Sequence, residues 1–112
     1  MAFSPVQLAD IRERMEAFVQ RNRPKPEIRD RVDLAFRISG QSVEIFEIRT
    51  IRGHGMVESP IAKTTSVRTT ATWKVFWMRQ DLRWHAYKTK TVATIQDFIA
   101  LVERDELHCF WG

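Results

Sequence analysis

The side chains best suited to chemistry lie in residues 73–88, where aromatic and cationic residues alternate along two predicted strands. Alternate residues of a strand share one face of a sheet. Rings on an open sheet face can stack on bases while cations contact phosphates, as in several folds that bind RNA or single-stranded DNA. The predicted nucleic-acid-binding residues are Lys74, Phe76, Arg79, Arg83, His85 and Tyr87.

This assignment depends on the loop between the two strands. A loop over residues 79–82 makes Met78 face Arg83, which places His85 and Tyr87 on the same side as Phe76. The opposite side then carries Trp73, Trp77 and Trp84, which we assign to the core beneath a helix. If helices or a second copy of the chain cover the Phe76 side instead, the same residues are packing residues, so a homodimer through this face is the first alternative.

An enzyme is the second alternative. Mg²⁺-dependent nucleases place acids and a lysine on neighbouring strands, and the candidates here are Glu44, Glu47, Glu58 and Lys63. The order of these residues does not match the usual pattern, and a structural role for Glu47 beside an arginine at a bulge is the stronger interpretation. We therefore predict no catalytic residues.

No cofactor or metal site is predicted either. The spacing of His54, His85, His108 and Cys109 matches no zinc template, and the four glycines are scattered rather than gathered in a phosphate-binding loop. Cys109 is the only cysteine, which excludes an internal disulfide.

The charge balance favours an anionic partner weakly. Lys plus Arg is 18 against 14 acids, a net charge of +4, and 13 of the 18 cations are arginine. Arginine suits bidentate phosphate contacts, but a net charge of this size is also ordinary for a soluble small domain. The arginines and lysine of residues 21–31 surround two prolines, so we predict a solvated connection there.

Two helices are predicted to bracket the sheet. Ser4, Pro5 and Gln7 form a capping box for a helix that ends near Asn22, and Thr94 caps a second, short helix. After the second helix the chain is apolar through Phe110 and Trp111, so we expect this tail to dock.

Five strands lie between the helices. Val32 opens an alternating strand that pairs across the Gly40 turn with a second strand, and Glu47 is predicted either to be buried or to mark a bulge. Pro60 begins a third strand, predicted to lie at the edge of the sheet. The fold class is therefore α+β, a five-stranded antiparallel meander sheet flanked by an N-terminal and a C-terminal helix.

Length and composition limit the whole chain to one domain. The 112 residues, 44% of them hydrophobic, suffice for one core, so we predict a single domain over residues 1–112. No apolar run reaches the ~20 residues that span a bilayer, and no secretory signal opens the chain. We expect a cytoplasmic protein that does not bind membranes, whose partner is single-stranded DNA or RNA, or a second copy of itself.

The motifs in order resemble those of one uncharacterised family. They are Arg29-Asp30, Phe46-Glu47-x-Arg49, Glu58-Ser59-Pro60-Ile61-Ala62, Trp73 with Trp77, Asp81-Leu82-Arg83-Trp84-His85-x-Tyr87 and Phe110-Trp111-Gly112. This layout resembles the bacterial family called domain of unknown function 3024 over nearly the whole chain. It departs from that family at Met56, where a tryptophan is expected, and at Thr65-Ser66. The resemblance implies no activity, since the function of these proteins is not established.

Overall fold

The N-terminal helix begins where its capping residues predict. In a computed structural model of the protein, which describes residues 3–111, Ser4 Oγ accepts the Gln7 N–H at 3.2 Å and Gln7 Oε1 accepts the Ser4 N–H at 2.9 Å. The elements in chain order are α1 (Pro5–Asn22), a 3-10 turn (Pro26–Ile28), β1 (Val32–Ser39), β2 (Ser42–Ile51), β3 (Gly55–Val67), β4 (Thr72–Met78), β5 (Trp84–Val92) and α2 (Ile95–Arg104). This is the predicted α+β arrangement.

The strands form one antiparallel sheet in the order β1-β2-β3-β4-β5. β1 and β2 pair without a register shift across a two-residue turn, in which Gly40 takes the positive φ of 58° that the first position of a type II′ turn requires. The predicted Ile38–Val43 and Phe36–Ile45 pairs are both present. Glu47 therefore stays opposite Leu34, on the same side as the core.

β3 lies at the centre of the sheet, so its predicted edge position was wrong. The register between β2 and β3 shifts by one residue at Ile61, next to Pro60. Such a bulge accommodates a proline inside a central strand, because the ladder is already interrupted there. The extra residue also turns both Ile61 and Ala62 into the core.

Both helices pack on one face of the sheet, which we call the helix face. The largest fully buried side chains there come from α1, the sheet and α2, namely Met15, Phe18, Val43, Ile45, Thr64, Val75, Phe98, Ile99 and Val102. Arg21 reaches from α1 to the Glu103 carboxylate of α2 at 3.2 Å, which fixes the two helices to each other. Among the described elements no helix covers the opposite side, which we call the open face. No helix within residues 3–111 is long and apolar enough to cross a membrane.

The C-terminal tail docks as predicted, and one carboxylate holds it. Asp105 ends α2 in the left-handed conformation (φ 42°), and its side chain is 6% exposed. Its two oxygens accept the N–H groups of Phe110 at 3.0 Å and Trp111 at 2.9 Å, and the Trp111 indole donates to the Val102 carbonyl. Met1, Ala2 and Gly112, the last residue of the predicted tail motif, lie outside the described residues.

Replacing this carboxylate should release the tail. We expect Asp105→Ala to lower the free energy of unfolding by about 3 kcal/mol, because two hydrogen bonds to a charged acceptor are lost. Asp105→Asn, which tolerates the left-handed conformation and keeps one acceptor oxygen, should lose distinctly less. Urea unfolding measures both, and equal losses in the two variants would contradict the clamp.

Candidate nucleic-acid interface

The loop between β4 and β5 decides which side chains reach the open face. It spans residues 79–83, one residue more than predicted, and Met78 pairs with Trp84 instead of Arg83. Leu82 adopts the left-handed conformation (φ 61°), and the Arg79 N–H donates to the Arg83 carbonyl at 3.2 Å to close the loop. Because side chains alternate with period two, this one-residue change exchanges the two faces of β5.

The predicted site residues are therefore divided between the two faces. Lys74 and Phe76 lie on the open face, as expected, in register with Thr65 and Lys63 of β3. His85 pairs with Trp77 and lies on the helix face, which corrects its predicted position beside Phe76.

Tyr87 is also on the helix face and is not available for stacking on a base. Its side chain is 3% exposed, and its ring stacks on Phe110 with centroids 4.8 Å apart. Burial raises the pKa of its hydroxyl above the ordinary value, and the charges of Cys109 and Asp105 act in the same direction.

The two arginines of the predicted site belong to the loop. The Arg79 guanidinium lies over the Trp77 ring at 5.4 Å, on the helix-face side, whereas Arg83 is exposed. Asp81 organises the turn by accepting the Arg83 N–H at 3.1 Å and contacting His85 Nε2 at 2.8 Å. The hydrogen bond with His85 lowers the pKa of the Asp81 carboxyl.

Trp84, and not Tyr87, joins Phe76 on the open face. It was predicted in the core, but its pairing with Met78 puts it on the open face, diagonal to Phe76. Both rings are half-buried, and the Lys63 ammonium lies 5.9 Å from each ring centroid. This distance is at the outer limit of a cation–π contact. The cluster of Lys63, Phe76 and Trp84 is the aromatic–cationic part of the open face.

A second ring lies across the sheet from this cluster. Phe46 is only 6% exposed although no helix of residues 3–111 covers it, and the Arg37 guanidinium lies 4.3 Å from its ring centroid. Arg37 also donates to Glu58. One row of the open face crosses all five strands, in the order Arg37, Glu44, Lys63, Phe76 and Ala86.

The open face is mixed in charge. It carries the cations Arg37, Lys63 and Lys74 together with the carboxylates of Asp33, Glu44 and Glu58. The electrostatic potential of the open face is accordingly weaker than that of a strongly basic groove. Base stacking would have to supply much of any affinity for nucleic acid.

The candidate nuclease residues are divided between the two faces, although Glu44 and Lys63 are cross-strand neighbours. Glu44, Glu58 and Lys63 lie on the open face, but Glu47 lies on the helix face, where its carboxylate accepts from Arg49 at 3.1 Å. This is the structural role predicted for Glu47, although the bulge lies in the neighbouring strand pair. Within residues 3–111 no group of three or more His, Cys, Asp or Glu side chains could hold a metal ion.

The basic connection between α1 and β1 is largely occupied by internal contacts. Arg21 is bound to Glu103, Arg23 to Asp33, and Arg29 donates to the Pro24 carbonyl at 2.8 Å. These arginines hold the chain in place, so this segment is a poorer phosphate surface than the open face.

Comparison with known proteins confirms the family. The chain belongs to the family described as Domain of unknown function (DUF3024), whose model matches residues 3–112, essentially the whole chain. No curated protein and no solved structure matches it. The family description states no activity, so any function must be argued from the site.

The position of Tyr87 can be tested by titration, since it is the only tyrosine of the chain. We expect its hydroxyl to ionise above the ordinary value of about 10 in the folded protein. Because burial disfavours the ionised hydroxyl, the free energy of unfolding should fall as pH rises from the pKa of the unfolded chain through the raised pKa of the folded protein. Tyrosinate absorbance against pH measures this, and ionisation at the ordinary pKa would mean that Tyr87 is exposed.

Proposed function

We propose that this protein binds single-stranded nucleic acid on the open face of its sheet. The observation that supports this most directly is the pair of half-buried rings, Phe76 and Trp84, on a sheet face that none of the described helices covers. Each ring can receive one base, and base–aromatic stacking contributes about 1–3 kcal/mol per base.

The cations of the same face suit the phosphate backbone. Lys74 is exposed two residues before Phe76 on the same face of β4. The Lys63 ammonium lies 5.9 Å from the ring centroids of both Phe76 and Trp84. A strand that stacks on the rings can contact both ammonium groups, whereas a duplex keeps its bases paired and offers only phosphates. The proposal therefore predicts a preference for single strands over duplex.

The corrected set of binding residues is Lys63, Lys74, Phe76 and Trp84, with Arg83 at the loop end of the face. His85 and Tyr87 leave the site because they lie on the helix face, and Arg79 leaves it because its guanidinium lies over the Trp77 ring of that face. The proposed location is the bacterial cytoplasm, which suits a chain whose single cysteine, Cys109, forms no internal disulfide.

Fluorescence anisotropy with labelled oligonucleotides tests the proposal. We expect Phe76→Ala and Trp84→Ala each to weaken binding of a single strand by about 5-fold to 100-fold, because each removes one stacking platform. Binding should also weaken as salt rises, since phosphate contacts release counterions.

Leu82→Ala is the matched control. Leu82 is apolar and 80% exposed on the β4–β5 loop, outside the open face. Its truncation should leave affinity unchanged, and circular dichroism should show all three variants folded. Absence of binding at low salt, or equal loss in all three variants, would contradict the proposal, and dimerisation blocked by Trp84→Ala would support self-association through this face instead.

A further inference from the structure

The outer edge of β1 has unused backbone hydrogen-bonding groups. Among residues 3–111, β1 pairs only with β2, and it does so over eight residues without a register shift. The two-residue turn makes Ser39 and Ser42 a hydrogen-bonded pair, so odd-numbered residues of β1 bond to β2. The even-numbered residues, which include Leu34 and Phe36, consequently direct their N–H and C=O groups outward.

An ion pair occupies the outer edge of β1 near its N-terminal end. Arg23 donates to both oxygens of the Asp33 carboxylate, at 3.0 and 2.7 Å, and Asp33 Oδ1 also accepts the outward N–H of Leu34 at 2.8 Å. Hydrogen bonding to Arg23 lowers the pKa of Asp33, so the pair is ionised at neutral pH. We call this contact the edge clamp.

The clamp crosses the edge of the sheet. Asp33 alternates with the buried Leu34, so its side chain leaves from the open face, whereas Arg23 follows α1 on the helix face. An incoming strand would meet the guanidinium and find the Leu34 N–H already bonded. The other outer edge, in β5, is protected differently, by a register irregularity and the exposed Lys88 and Lys90.

The sequence of β1 is complementary to itself about Ala35. In an antiparallel pair of two β1 strands centred there, Asp33 faces Arg37 of the second copy, and Leu34 faces its Phe36. The pair of strands therefore contains two contacts between Asp33 and Arg37, one on each side of the centre. Leu34 and Phe36, whose backbone groups point outward, face each other as hydrogen-bonded pairs. Arg37 is bound to Glu58 in one chain, but a guanidinium has donors for two carboxylates.

We propose that the outer edge of β1 is a docking surface for a second copy of this chain, and that the Arg23–Asp33 clamp keeps it closed. Release of Arg23 frees the Leu34 N–H and the Asp33 carboxylate for the second copy. The product is a ten-stranded sheet in which the helices of both copies lie on one side and the two open faces are continuous.

The mass of the protein in solution tests the clamp. By light scattering at micromolar concentration, we expect the wild-type chain at its monomer mass of 13.2 kDa and Arg23→Ala at twice that mass. Arg21→Ala is the matched control, because it removes an ion pair of the same helix end, to Glu103, without touching β1. A wild-type dimer, or a folded Arg23→Ala chain that stays monomeric, would overturn the proposal.

Cross-linking tests the register. Two Ala35 residues that face each other as a non-hydrogen-bonded pair have Cα atoms about 4.5 Å apart, close enough for a disulfide. In a Cys109→Ser, Arg23→Ala background, Ala35→Cys should therefore form an intermolecular disulfide on oxidation. Ser39→Cys, on the same strand but away from the two-fold axis, should not. Equal cross-linking of the two variants would overturn this pairing.

Discussion

Strand register is the constraint on which the rest of this structure depends. Within residues 3–111 the sheet has helices on one side only, so each strand residue lies either on the helix face or on the open face, and a shift of one residue exchanges the two. At β5 the five-residue loop sets that choice, placing Tyr87 against Phe110 and Trp84 on the open face. The core and the candidate binding surface are thus determined together by one loop.

The rings of the open face are partly shielded by the protein's own cations. The Arg37 guanidinium lies over the buried Phe46 ring, and the Lys63 ammonium lies 5.9 Å from the ring centroids of both Phe76 and Trp84. These contacts reduce the cost of exposing aromatic surface to water, since the aliphatic stems cover the rings while the charges remain solvated. They also place positive charge where a stacked strand would carry its phosphates. Under the proposed function, this surface stays uncovered in the free chain and receives the nucleic acid.

Local signals in the sequence were sufficient for much of the fold. The capping residues of α1 and the Gly40 turn each define an element or register from a few neighbouring residues, and both were predicted correctly. The β4–β5 register was not predictable in the same way, because Leu82 adopts a left-handed conformation that leucine rarely takes. His85 and Tyr87 were consequently predicted on the wrong face. The prediction that Pro60 marks an edge strand was wrong, because a bulge allows this proline to lie in the central strand β3.

The most direct test of the account uses the indole N–H signals of the four tryptophans in a nuclear magnetic resonance titration with a single-stranded oligonucleotide. Trp84 lies on the open face, whereas Trp73 and Trp77 lie on the helix face and serve as internal controls. The account predicts that the Trp84 signal moves progressively with ligand while those of Trp73 and Trp77 stay in place. A titration that shifts the helix-face signals and leaves Trp84 unchanged would contradict it.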